Sequence, residues 1–255
     1  MRALILSDIH SNLEALQAVL AATEGLWDEL WNLGDMVGYG GSPNEVIDLV
    51  RPLSTLVVRG NHDRVCCGLS SPNHFNPIAR EAALWTRTEL SEENLSWLRE
   101  VAQGPLHPAI AGITCAHGSP LDEDRYILNM RDAWAPLQQM TTPMNFFGHT
   151  HIQGGFSVVE EAWRELHPRY LNTGEARNAH ESASLRLPGS TRFLINPGSV
   201  GQPRDFDWRA AFALFDVETS LVTFHRVPYD LVAAQGRILM AGLPERLATR
   251  LREGR

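Results

Sequence analysis

Asp8-Ile9-His10 sets a carboxylate and an imidazole two residues apart. On an extended segment residues i and i+2 point the same way, so the two can converge on one cation. Gly34-Asp35 adds a carboxylate whose two oxygens can bridge two cations, with a glycine that lets backbone come close beneath it. Gly60-Asn61-His62-Asp63 supplies a neutral amide oxygen, which leaves a bound metal electrophilic. Gly148-His149-Thr150-His151 offers two more imidazoles at i and i+2, and His117 stands in Cys115-Ala116-His117-Gly118. Neutral imidazole is the commonest transition-metal ligand. Taken singly, Asp8 and His10 read more readily as a helix-capping Asp and a surface His, Gly34-Asp35 as a turn and His117 as a turn His, whereas a polar turn would explain Gly60 and Asn61 but not His62 and Asp63. Taken together, Asp8, His10, Asp35, Asn61, His117, His149 and His151 form two four-donor sets that share Asp35.

The elements that must carry these groups follow one grammar. Arg2 to Ser7 is a short apolar run that reads as a buried strand. Ser11-Asn12-Leu13-Glu14 has the capping-box form and opens a helix striped by Leu13, Leu16, Val19 and Leu20. Glu29 to Leu33 reads as a strand ending at Gly34-Asp35, and Asn44 to Val50 as a helix opened by Pro43. Thr55 to Val58, Ile110 to Ala116 and Met144 to Phe147 read as strands, and Ala79 to Leu90 and Glu92 to Val101 as helices. Five strands thus end on Asp, His or Asn, where open α/β sheets place their ligands. Beyond them, Gly155 to Glu160, Arg192 to Asn196, Ala211 to Val217 and Leu221 to Val227 lack intervening helices and read as antiparallel. Residues 161–190 are polar with weak periodicity, an insertion or cap over the site or a solvated loop. A helix is expected from Asp230 to Met240, and Arg246 to Arg255 reads as a solvated basic end. No linker divides the chain, so residues 1–255 read as one domain.

Composition narrows the class. The 255 residues are 44% hydrophobic and 20% charged, as a folded chain requires. The formal net charge of −8 argues against non-specific nucleic-acid binding, which needs many Lys and Arg contacts. It leaves room for a small phosphorylated substrate, because bound cations reverse the local field. No apolar run approaches the ~20 residues that span a bilayer, and Met1 to Leu6 is too short for a signal peptide. Cys66, Cys67 and Cys115 read as packing residues in a reducing compartment, so the expected location is the cytoplasm. A homo-oligomer is compatible with the sequence.

The order Asp-x-His, Gly-Asp, Gly-Asn-His-Asp, a later His and Gly-His-Thr-His resembles the calcineurin-like metallophosphoesterase superfamily, from Asp8 to His151. Asn196-Pro197-Gly198-Ser199-Val200, with Arg204 nearby, is similar to a motif of its small prokaryotic phosphodiesterase branch. The resemblance implies an α/β fold, a four-layer α/β/β/α sandwich of two mixed sheets. It implies a first ion on Asp8, His10, Asp35 and His151, and a second on Asp35, Asn61, His117 and His149. It makes His62 the catalytic imidazole, with Arg204 and Asn12 as candidate substrate contacts. Two divalent ions are implied, manganese first, with iron, zinc, cobalt and nickel also suited to mixed N/O donors. Such a pair activates a bridging hydroxide and clamps a phosphoryl group. The sequence departs from the family at one place. Many members carry Gly-Asp-x-x-Asp-Arg, whose second Asp orients the catalytic imidazole, and here that position is Gly38. Asp63 or a backbone carbonyl must then orient His62.

The implied activity is hydrolysis of a phosphodiester or nucleotide-type substrate. The alternatives are a phosphomonoesterase or protein phosphatase, or a catalytically weak metal-binding scaffold. Pro197-Gly198-Ser199-Val200-Gly201 nearly fits a serine-nucleophile elbow, but Pro197 stands where the first Gly belongs and no helix signal follows.

Overall fold

From Ala3 onward, β1 (Arg2–Leu6) is fully buried, which is why its sequence is a continuous apolar run rather than an alternation. The computed structural model of the chain describes residues 1–159, 161–171, 178–189 and 191–255. In it β1 lies inside a six-stranded mixed sheet. On one side β1 pairs in parallel with β2 (Glu29–Asn32), and β2 in parallel with β3 (Ser54–Val57). On the other side β10 (Ala210–Asp216), β11 (Leu221–Val227) and β8 (Glu181–Arg186) follow, each antiparallel to its neighbour. The second sheet has five strands in the order β4 (Ile113–Cys115), β5 (Met144–Phe146), β9 (Arg192–Asn196), β6 (Gly154–Val159) and β7 (Ala162–Leu166). Its β4, β5 and β9 run parallel, while β6 and β7 run antiparallel to their neighbours.

Alternation along β1 then sorts its side chains between two cores. Ala3 and Ile5 pack with Trp31, Cys115, Phe146, Ile195 and Phe224 in the apolar layer between the sheets. Leu4 and Leu6 face the opposite way, onto α1 (Leu13–Ala22), α2 (Pro43–Val50), α4 (Pro77–Glu89) and α5 (Glu92–Glu100), with α7 (Leu231–Met240) and α8 (Glu245–Glu253). On the far face of the second sheet, Ala133 and Leu137 of α6 (Met130–Gln139) pack on Phe156 and Leu194. The result is the four-layer α/β/β/α sandwich of two mixed sheets. Among the described residues no helix is long and apolar enough to cross a membrane.

Several boundaries differ from the sequence reading, each for a local reason. Ser11 does not cap α1: it sits at φ 53, and Asn12 caps instead, its side chain accepting from the Ala15 N–H. Gly60-Asn61-His62-Asp63 is not a turn, because Gly60 caps α3 (Asn61–Cys66) and the motif forms the first helical turn. Within 161–190 the described residues form β7 and β8, edge strands of the two different sheets. Their alternation is between exposed and half-buried positions, so no apolar periodicity betrays them. Residues 172–177 and 190 of that stretch lie outside the described residues. Helix α6 was hidden by Pro136 in its interior.

The largest correction concerns the C-terminal stretch. It forms α8 rather than a solvated end, with Leu247, Ala248 and Leu251 buried against the core. Leu247 is 0% exposed, so Leu247→Ala is expected to lower unfolding stability by about 2–4 kcal/mol, read from a urea titration. A loss below about 0.5 kcal/mol would mean that α8 is not part of the folded unit.

Candidate metal centre

The parallel strands β1, β2 and β3 end on one edge of the first sheet, and β4 and β5 end on the adjoining edge of the second. Asp8 and His10 follow β1, Asp35 follows β2, Asn61 opens α3 after β3, His117 follows β4, and His149 and His151 follow β5. The loops are tied to each other by backbone. Asp8 N–H donates to Gly34 O (2.9 Å), His10 N–H to Asp35 O (3.0 Å), Ser11 N–H to Met36 O (2.9 Å) and Gly148 N–H to His117 O (2.7 Å). At Gly34 the β2 loop runs close against the start of α3: a Cβ there would lie 2.5 Å from Gly60 N, and its φ is +96.

Convergence is achieved differently from the extended geometry that the i, i+2 spacing suggested. Asp8 (φ 54), His10 (φ 48), Asp35 (φ 54), His149 (φ 65) and His151 (φ 60) are all left-handed. So are their neighbours Ser11 and Tyr39. A non-glycine residue pays roughly 1–2 kcal/mol for that conformation, and such residues gather where function over-determines the backbone. Sharp turns, not the strand pleat, aim these side chains inward.

All seven side chains meet in two adjoining groups. Asp8, His10, Asp35 and His151 form one buried set with ligand atoms within 4.8 Å of one another, and Asp35, His117 and His149 form the other. Asn61 joins the second set, its Oδ1 lying 3.1 Å from His117 Nε2. Asp35 Oδ2 is 3.6 Å from His10 Nε2 and 3.4 Å from His117 Nε2, so one oxygen sits between the sets. Its other oxygen accepts from the His62 backbone N–H at 2.8 Å.

The tautomers decide what these groups present. His10 Nδ1 donates to Val37 O (3.1 Å), His117 Nδ1 to Leu33 O (2.8 Å), His151 Nδ1 to Gln202 O (2.6 Å) and His149 Nε2 to Asp124 O (3.2 Å). Carbonyls only accept, so in each neutral ring the opposite nitrogen turns a lone pair inward. His10 Nε2 and His151 Nε2 face each other at 3.2 Å, and Asp8 Oδ1, buried without a hydrogen-bond partner, lies 3.3 Å from the latter. Lone pairs crowded on a buried point repel unless a cation or a proton lies among them. Carbonyls holding the back of each imidazole are the usual support of metal-ligating histidines. The donor set therefore fits divalent cations with mixed N/O coordination.

Charge follows the same geometry. Burial opposes a charged His117, but Asp35, with Asp8 beyond it, outweighs burial and lifts the group to about 10. Burial keeps His149 low, at about 3, with His117 adding repulsion, and holds His10 well below its ordinary value. Without a cation, one imidazolium thus serves as the counter-charge.

His62 follows Asn61 in the chain, and its ring lies 4.9 Å from that of His10. Asp63 does not orient it: its carboxylate accepts from the N–H groups of Asp35 (2.8 Å), Val37 (3.2 Å) and Gly60 (3.0 Å) and so binds the β2 loop to α3. Nor does a carbonyl, since His62 Nδ1 is buried with no partner. A Cβ on Gly38 would lie 2.6 Å from that nitrogen, so position 38 does face the ring. Here ring packing holds it, with centroids of Tyr39 at 4.4 Å, Phe75 at 4.5 Å and His10 at 4.9 Å.

The second sequence motif is a clamp. Asn196 Nδ2 donates to Gly148 O and Thr150 Oγ1 (both 2.9 Å), and Ser199 Oγ donates to Asp8 O (2.7 Å) while accepting from Gln202 N–H (2.8 Å). Fully buried and doubly bonded, Ser199 cannot be an elbow nucleophile. Asn12, the other candidate contact, is bonded within the fold. Its Oδ1 caps α1 and one Nδ2 hydrogen goes to Gly201 O at 2.9 Å, so each end of the amide makes a bond inside the fold. Arg204 stays at the site, its N–H on His151 O (3.1 Å) and its guanidinium 6.0 Å from the Tyr39 ring centroid. Sequence reasoning missed Tyr39, which packs on His10 at 4.7 Å, Tyr126, which stacks on His149 at 3.9 Å, and Arg250. Only the helical spacing of Leu247 and Leu251 could have signalled that Arg250 is brought inward.

Known proteins resemble this chain. The calcineurin-like phosphoesterase superfamily domain matches residues 1–220. A metallophosphoesterase from Sphaerobacter thermophilus has a crystal structure that superposes with a TM-score of 0.81 at 41% identity, covering 100% of this chain and 99% of that one. An uncharacterized protein of Methanocaldococcus jannaschii is 35% identical over 98% of this chain and 97% of its own length. A symmetrical bis(5'-nucleosyl)-tetraphosphatase of Psychromonas ingrahamii is 31% identical over 103 residues, 39% of this chain and 37% of its own length.

Two outcomes are expected. Metal binding at neutral pH must displace the proton of His117, whose value near 10 keeps it charged without a cation, so loading should release about one proton. Calorimetric titration of manganese in buffers of different ionisation enthalpy reads this, and a buffer-independent enthalpy would contradict it. Asp35→Asn should reduce bound metal in both sets, measured by elemental analysis after dialysis. Retention of the full wild-type complement would show that Asp35 is not shared.

Proposed function

The chain belongs to the calcineurin-like phosphoesterase superfamily, and from that premise we propose that it is a dinuclear metal-dependent hydrolase of phosphodiester or nucleotide-type substrates. The observation that carries the proposal is Asp35 Oδ2 lying between two buried donor sets. In this reading Asp8, His10, Asp35 and His151 hold one divalent ion, and Asp35, Asn61, His117 and His149 the other. Manganese is the first choice of metal, with iron, zinc, cobalt and nickel as alternatives. Such a pair, when bound, supplies Lewis-acid polarisation of the phosphoryl group and activation of water.

The chain's own residues supply the rest. A cleft of about 260 Å³ opens beside the second set, walled by Asn61, His62 and His149 and by the rings of Tyr39, His74, Phe75 and Tyr126. Among the described residues, none of those lining it comes from 161–190. Aromatic walls suit a flat base, which supports the nucleotide-type reading, as does the partial likeness to a tetraphosphatase of dinucleotides. Burial holds His62 down at about 4, with the Arg204 charge helping and Asp35 opposing. The ring is then neutral at pH 7. With Nδ1 buried, its Nε2 is the atom left to hydrogen-bond the leaving oxygen. Asp63 keeps the Asp35 and Asn61 loops in register. The substrate partner is a small phosphorylated molecule. The three free, buried cysteines fit a reducing compartment, the cytoplasm.

His62→Ala is expected to retain both ions by elemental analysis while turnover of bis(p-nitrophenyl) phosphate falls about 100-fold or more. Unchanged turnover would remove His62 from the mechanism. A metal-loaded wild type that hydrolyses no mono- or diester and no nucleotide would overturn the enzymatic reading altogether.

A further inference from the structure

Each of the four imidazoles in the two donor sets leans on a backbone carbonyl, and one of those carbonyls is unlike the rest. Val37, Leu33 and Gln202, which hold His10, His117 and His151, are buried. Asp124, whose carbonyl accepts from His149 Nε2–H at 3.2 Å, is exposed, on a loop between β4 and α6 where Leu121 and Tyr126 are exposed too. The backbone of that loop closes on itself. Ser119 N–H donates to Arg125 O (3.0 Å), Asp122 N–H to Ser119 O (3.0 Å) and Arg125 N–H to Asp122 O (3.1 Å). Those bonds shape a turn without tying it to the core. How firmly His149 is held therefore depends on what fastens the turn.

Arg64 supplies a fastening. Its guanidinium donates to both carboxylate oxygens of Asp124 (2.8 and 2.7 Å) and to Glu123. Two donors on one carboxylate fix direction as well as distance. The side chains of Arg64 and Glu123 are 16% and 8% exposed, so salt screens that pair little. Arg64 stands on α3 three residues after Asn61, a spacing that puts both on one helical face. The same short helix thus brings Asn61 Oδ1 to 3.1 Å from His117 Nε2 and, through Asp124, braces His149. Both contacts serve the second donor set. The braced loop also lays Tyr126 on the His149 ring at 3.9 Å, so the imidazole is steadied on its face as well as at its edge. The first set has no share in this arrangement, since His10 and His151 lean on Val37 and Gln202.

We propose that Arg64 is a positioning residue for the second ion. Its pairs with Glu123 and Asp124 fix the Asp124 carbonyl, which keeps the His149 proton on Nε2 and leaves Nδ1, 3.1 Å from His117 Nε2, to bind metal. This rests on the dinuclear reading and adds that the two ions are held unequally, the second through an exposed loop. Groups that support metal-binding histidines from behind are worth roughly 10- to 100-fold in affinity.

Calorimetric titration of the metal-free full chain with manganese tests this, with thermal melting to check that each variant folds. Wild type should show two binding steps. Arg64→Met should weaken one step about 10- to 100-fold and leave the other as in wild type. Asp124→Asn, which keeps the carbonyl and weakens the ion pair, should weaken the same step to a lesser degree. Arg51→Met, which breaks an exposed pair with Glu93 at the end of α2, should change neither step. In a His149→Ala protein, already without that ligand, Arg64→Met should leave the remaining step unmoved. A further loss there would mean that the arginine only supports the fold, and would overturn the proposal. Folded Arg64→Met and Asp124→Asn proteins that bind both ions as wild type does would also overturn it, with the dinuclear reading intact. A wild type that takes up a single ion overturns both.

Discussion

Buried lone pairs aimed at common points, with no proton free to separate most of them, are the constraint on which the rest of the structure depends. His10 and His151 turn acceptor nitrogens toward each other at 3.2 Å because carbonyls of Val37 and Gln202 hold their other sides. Asp8 Oδ1 joins them without a partner of its own. A cation resolves that crowding, and the cluster of buried Asp and His side chains is accordingly one that can hold divalent metal. Much else exists to keep those groups facing inward. Left-handed turns aim them, the Asp63 carboxylate ties two of the loops together, and Asn196 and Ser199 clamp the Asp8 and His149 loops. These contacts are buried and saturated, so the backbone strain at the centre is sustained by its surroundings.

The two sheets explain why donors so far apart in sequence can meet. Three parallel strands of one sheet and two of the other end on the same rim. The apolar layer of Ile5, Trp31, Cys115 and Phe146 beneath them sets the spacing of the sheets. The long-range contacts of the fold thus fix where the donor groups stand, while the loops only complete their arrangement.

The site was more legible in the sequence than the fold's periphery was. Strands buried on both faces leave apolar runs, and the residues that end them stand out, so the seven side chains that the structure brings together could be picked out from order and spacing. The geometry behind them could not. Nothing in Asp8-Ile9-His10 announces left-handed backbone, and the unpartnered Nδ1 of His62 is visible only where Gly38 meets the ring. Edge strands β7 and β8 alternate between exposed and half-buried residues and carry no apolar signal. Charge misled at the C-terminus. The arginines of α8 suggested a solvated end, although Leu247, Ala248 and Leu251 recur at helical spacing and bury one face. Asn12 shows another thing that spacing hides, a polar residue beside the site whose amide caps a helix and bonds a carbonyl.

Anomalous diffraction from crystals of the manganese-loaded protein tests the central claim most directly. Two peaks are predicted about 3.5–4 Å apart, one among Asp8, His10, Asp35 and His151 and one among Asp35, Asn61, His117 and His149. A single peak, or a pair located away from Asp35, would contradict it.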